Sequence, residues 1–157
     1  MLQNILLFSP LITFLPFGFK LSLVDVQTHR LPNIMQAQCL VSVCVCQLIV
    51  SVFRRDFSQM FKSTQVSVFM LGIFAILYFC SRGQLGMGDV KYAFVLGQVI
   101  GWTNPDLWIF SIWLSFALAT IWSIGKYVRS DLQMNRRIAF GPFLTIATVG
   151  CCLWIMF

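Results

Sequence analysis

The chain is 157 residues long, 59% hydrophobic and 15% aromatic, and only 10% of it is charged; its mean hydropathy is +0.84. A soluble domain carries roughly 25% charged residues, and a disordered chain needs low hydrophobicity with high charge, so both classes are excluded. The formal charge of +6 raises nucleic acid as a partner, but the eleven Lys and Arg are scattered between apolar runs and form no stripe, which is how a polytopic membrane protein sets its orientation in the bilayer.

The length suits about one domain, read as 1–157. Its first apolar run covers 2–24; the first basic residue is Lys20, at the far end, so it reads as a retained span and not as a cleaved signal peptide. Pro10 and Pro16 would kink it, as a membrane helix tolerates. Further spans are predicted at about 34–53, ending on Arg54-Arg55-Asp56, and at 65–81. A fourth runs from near Gly88 to Trp102, and a fifth over 106–125 behind Asn104-Pro105-Asp106, where Asn would cap and Pro would fill the first turn. The sixth covers 138–157. The expected fold is therefore all-α, a polytopic membrane protein of about six transmembrane helices.

Loops after the odd helices carry Lys20, Arg30, Arg82, Lys91, Lys126, Arg129, Arg136 and Arg137; those after the even helices carry Arg54, Arg55 and Lys62. Eight against three puts the odd loops in the cytoplasm. The basic loop 126–137 then fixes topology or meets anionic lipid.

All five acids are aspartates. Asp25 follows Leu21-Ser22-Leu23-Val24, and Asp89 opens an apolar helix, both on the expected cytoplasmic side; Asp56 and Asp106 fall on the other, and Asp131 lies in a basic loop. An acid against an apolar run costs free energy and is usually kept for a job or a partner. Two carboxylates at one water can do general acid/base chemistry, because like charges a few ångströms apart cannot both ionise and so share a proton; the protons belong to the pair. The same residues could instead cap helices or pair locally, Asp25 with Arg30 and Asp89 with Lys91, or line a proton path. Gly86 and Gly88 open backbone dihedrals closed to other residues and leave room for an extended peptide. Ala93, Gly97 and Gly101 form a face of small residues on which a neighbouring helix can pack, the first helix being one candidate.

The six cysteines (39, 44, 46, 80, 151 and 152) lie in or beside apolar stretches and form no C-x-x-C pair. With His29 as the only histidine, neither a zinc site, which needs about four clustered ligands, nor a disulfide framework is expected, and the cysteines read as buried free thiols. His29 reads as an interfacial polar residue.

Three ordered segments resemble those of the type IV prepilin peptidases. Asp25 followed by Pro32-Asn33 resembles their first motif, Gly86-Met87-Gly88-Asp89-Val90-Lys91 their G-x-G-D-x-K motif, and Ala139-Phe140-Gly141-Pro142-Phe143 the F-G-P element before their last helix. The resemblance implies an integral-membrane aspartic endopeptidase of the bacterial inner (plasma) membrane that cuts the basic leader from prepilins or pseudopilins at the cytoplasmic face. It implies Asp25 and Asp89 as catalytic acids, with Gly86, Gly88, Lys91, Pro32 and Asn33 shaping the site or binding substrate, and no cofactor. Asn33 stands where the acidic variant of the motif carries Asp, leaving Asp25 the only carboxylate there. The paired C-x-x-C motifs of the methylating members are missing from this chain, so cleavage without N-methylation is expected, as in the stand-alone peptidases of tight-adherence and competence-type systems. The rival readings are a presenilin-like or preflagellin-type G-x-G-D protease, a small proton-coupled transporter, and a non-catalytic assembly partner.

Overall fold

The computed structural model describes residues 2–28, 31–82, 85–128 and 139–154. Among them are six α-helices and no strand: α1 (Leu2–Thr28), α2 (Asn33–Arg54), α3 (Ser58–Cys80), α4 (Met87–Thr103), α5 (Trp108–Val128) and α6 (Gly141–Leu153), with a 3₁₀ turn at Pro105–Leu107. Four stretches, Leu6–Thr28, Asn33–Arg54, Ser58–Cys80 and Pro105–Lys126, are long and apolar enough to cross a membrane. The two remaining helices are shorter, α4 with 17 residues and α6 with 13. The outward faces are apolar, with Phe19, Val41, Phe69, Phe79 and Trp113 all exposed. A soluble protein could not carry so much exposed apolar surface, and the chain is an all-α polytopic membrane protein.

Helix α4 is the axis of the bundle. It touches each of the other five helices, and from Val95 to Thr103 every residue is buried. Its closest neighbour is α3, because glycines remove the side chains between the two backbones. A Cβ added at Gly97 would lie 2.5 Å from Ser67 Cα, and one at Gly101 would lie 2.7 Å from Ser63 Cα. Gly97 and Gly101 of the small-residue face thus pack on α3, and not on α1, the one candidate the sequence offered. Buried polar groups tie two helices to α4: Gln47 Nε2 of α2 donates to the Gln98 carbonyl (2.8 Å), and Ser63 Oγ of α3 donates to Gln98 Oε1 (3.0 Å).

Several boundaries move. Helix α1 continues to Thr28, which puts Asp25 inside the helix; it passes through Pro10 and Pro16, and Lys20 lies on it, exposed, instead of in a loop. Helix α3 starts at Ser58, seven residues before the expected 65. The local cause is Asp56, whose Oδ1 accepts from the Ser58 N–H (2.8 Å) and whose Oδ2 accepts from the Ser58 hydroxyl (3.0 Å), satisfying first-turn donors. The same two bonds hold the Asp56 carboxyl below its ordinary pKa. Arg55 closes α2 in the left-handed region (φ 53°). Asn104 precedes the 3₁₀ turn without a side-chain capping bond, so Pro105 at its first position, not an Asn cap, marks that start. Lys91 and Lys126 also lie on helices. The six cysteines are free thiols, but Cys80 is exposed. His29, Arg30, Asp131 and nearly all of the basic loop lie outside the described residues.

Candidate active site

Four helix ends meet where the sequence motifs fall: the last turns of α1 and the first turns of α2, α4 and α6. Asp25, on α1, is 5% exposed. Its Oδ2 accepts a hydrogen bond from the Gly141 N–H (2.8 Å). Gly141 is the first residue of α6, and Pro142, which has no N–H, follows it. The amides at a helix N-terminus carry partial positive charge, so α6 presents a donor to the Asp25 carboxylate. Asp89 lies in the first turn of α4, half-buried, where that helix's own N-terminus favours a negative side chain. The two carboxylates are near enough to interact electrostatically.

The connecting segments complete the arrangement. Pro32, extended at φ −66° and ψ 126°, caps α2, and its carbonyl accepts from the Gln36 N–H (3.2 Å). Asn33 Oδ1 accepts from the Lys91 ammonium (3.1 Å), so Lys91 ties α4 to the start of α2. Gln36 Nε2 donates to the Gly88 carbonyl (3.1 Å). Gly88 packs against Leu31, where an added Cβ would stand 3.1 Å from Leu31 Cβ. All seven residues singled out from the motifs therefore sit at this end of the bundle.

The glycines act differently from the expectation. Gly86 has φ −69° and ψ 136°, a conformation open to any residue. What Gly86 supplies is space, since a Cβ there would lie 3.0 Å from Asp89 Oδ2. Gly141 does the same for the other acid, because its Cβ would lie 2.8 Å from Asp25 Oδ2. Phe140 anchors this N-terminus, its ring 4.9 Å from that of Phe116 and 6.4 Å from that of Phe74.

Four residues at this end lie outside the functional positions that the sequence motifs marked: Gln36, Ser22, Tyr92 and Thr145. The last three meet one helical turn deeper: Thr145 Oγ1 lies 2.9 Å from Ser22 Oγ and 2.7 Å from the Tyr92 hydroxyl. Their spacing was a signal: Ser22 lies three residues from Asp25, Tyr92 three from Asp89 and Thr145 four from Gly141, which places each on its neighbour's helix face.

A helical bundle with membrane-spanning helices that gathers Asp25, bonded to the N-terminus of α6, and Asp89, in the first turn of α4, at one end defines the class as a polytopic membrane protein. The model of the type IV leader peptidase family matches residues 12–124. That is well over half of the chain, and the protein belongs to this family. It is thus a multi-pass membrane protease of the leader-peptidase kind. The match includes Asp25, Asp89 and the motif residues around them and stops within α5, before the Phe140-Gly141-Pro142 element. No curated protein and no solved structure matches the chain.

Proposed function

We propose that this protease is an aspartic endopeptidase that removes the basic leader from type IV prepilins or pseudopilins at the cytoplasmic face of the plasma membrane, without methylating the new N-terminus. The observation that supports the reading is the placement of Asp25 and Asp89 at the same end of the bundle. Family membership supports the substrate class.

In the proposed reaction the substrate's apolar segment lies in the bilayer against the bundle, and its leader junction crosses the exposed, side-chain-free Gly86 beside Asp89. One carboxylate takes a proton from water as the water oxygen bonds to the scissile carbonyl carbon. The protonated partner gives its proton to the carbonyl oxygen, forming a gem-diol. Proton transfer to the amide nitrogen then lets the C–N bond break, releasing a carboxyl and an amine terminus and returning the shared proton to the pair. The Gly141 N–H, 2.8 Å from Asp25 Oδ2, fixes the orientation of that carboxyl group. The excess of Lys and Arg at the motif end supports its cytoplasmic orientation.

The test is mass spectrometry of a synthetic peptide, basic leader plus apolar segment, incubated with purified protein in lipid vesicles. Two complementary fragments are expected. Asp25→Asn and Asp89→Asn should each lower the rate by about 10³-fold or more, within the range of general acid/base catalysis, while remaining folded in the membrane. Near wild-type cleavage by either variant would overturn the dyad, and a proton-coupled transporter would release no fragment.

A further inference from the structure

The hydroxyl cluster beneath the acids is built so that proton count dictates its direction. Thr145 Oγ1 donates its single proton to the Gly141 carbonyl (2.9 Å). Its oxygen is left with two lone pairs, which accept from Ser22 Oγ (2.9 Å) and from the Tyr92 hydroxyl (2.7 Å). One oxygen on α6 therefore binds α1 and α4 together. It also holds the Gly141 peptide at its carbonyl, while the N–H of the same residue holds Asp25 Oδ2.

Packing closes this knot on the remaining sides. Tyr92 is fully buried, and its ring stacks on Phe14 at 6.4 Å. Gly18 of α1 faces the methyl group of Thr145, where a Cβ would come within 3.2 Å. In such apolar surroundings each hydroxyl depends on the others, because removing one leaves its partner unsatisfied at the cost of a buried polar group.

The geometry points to Tyr92 and Thr145 as positioning residues that set the separation of Asp25 and Asp89. The inference rests on the aspartic-peptidase reading above. Ser22 stands one turn from Asp25 on α1, and Tyr92 stands one turn from Asp89 on α4. Fixing both to one oxygen fixes the height and rotation of the two acid-bearing turns relative to α6. Neither hydroxyl needs to touch substrate, so loosening the knot should slow the chemical step and leave substrate binding alone. A misplacement of about 1 Å can cost on the order of 10²-fold in rate.

The experiment measures kcat and KM per folded enzyme for Tyr92→Phe, Thr145→Val, Ser22→Ala and Thr145→Ser, with folded protein quantified by gel filtration. Tyr92→Phe and Thr145→Val should lower kcat by about 10- to 100-fold with KM held within about 3-fold. Thr145→Ser, which keeps the hydroxyl, should recover to within about 3-fold of wild type. Ser22→Ala removes only a half-buried hydroxyl, so it keeps the test open where the more deeply buried variants fold poorly, and it should show the same kcat-selective loss. Wild-type kcat in the folded fraction of Tyr92→Phe, Thr145→Val and Ser22→Ala would overturn the inference; so would a loss confined to KM, or Thr145→Ser as slow as Thr145→Val. Asp25→Asn and Asp89→Asn are run alongside: if they stay active, the aspartic reading fails. If they are inactive while the hydroxyl variants keep wild-type kcat, only the positioning role fails.

Discussion

Gly141 is a residue whose meaning depends on what lies across from it. Its amide is bonded to Asp25 Oδ2, and the missing side chain is what allows a 2.8 Å approach. Gly141→Ala would push a methyl group into that oxygen, so the carboxylate must turn away from the α6 N-terminus. The expected result is a kcat lower by about 10- to 100-fold, read in the peptide-cleavage assay, with the fold retained. Gly150→Ala on the same helix is the control, since nothing lies within 4 Å of its Cβ, and it should cleave at the wild-type rate. At this scale the acids themselves were readable beforehand, because an aspartate beside an apolar run stands out in any hydropathy trace. The donor to Asp25 was not, because it comes from a helix far along the chain and glycine carries no chemical label.

Among the helices, α3 and α4 form the tightest pair. Without a strong hydrophobic drive between helices in lipid, close backbone approach supplies much of their attraction. Gly97→Ala would place a methyl group 2.5 Å from the Ser67 main chain, which cannot rotate aside. We expect a destabilisation of roughly 1–3 kcal/mol from overpacking, seen as a lower midpoint in thermal unfolding of the purified protein. Gly72→Ala on α3 meets nothing within 4 Å and should stabilise by up to about 1 kcal/mol through helix propensity. A small-residue face was evident in the sequence, but its partner was not. Spans that are apolar nearly all round carry no period that tells a lipid-facing side from a helix-facing one. The early start of α3 has a similar cause: its opening stretch mixes Ser58, Gln59, Lys62, Ser63 and Thr64 with Met60 and Phe61, which resembles loop by composition, and the Asp56–Ser58 bonds decide otherwise.

Across the whole molecule, cleavage of a leader on the cytoplasmic side requires the end that gathers Asp25, Asp89 and Gly141 to face the cytoplasm. Arg82 and Arg55 lie at opposite ends, both exposed and both already at φ 53°. In a background with the six native cysteines replaced, Arg55→Cys should react with a membrane-impermeant thiol reagent added to intact cells, whereas Arg82→Cys should react only after the membrane is opened. Labelling of Arg82→Cys from outside would remove the cytoplasmic site from the proposal.

Composition and the lengths of the apolar runs were enough to establish a helical membrane protein, because the bilayer demands internally bonded spans of nearly fixed length. The same trace revealed the two acids, since charge in such a background is costly and conspicuous. Which helices touch, that α6 aims an amide at Asp25, and that three hydroxyls meet on Thr145 emerged from the folded bundle alone. Those contacts join positions distant in the chain, and they depend on shape complementarity between helices whose apolar surfaces look alike in one dimension.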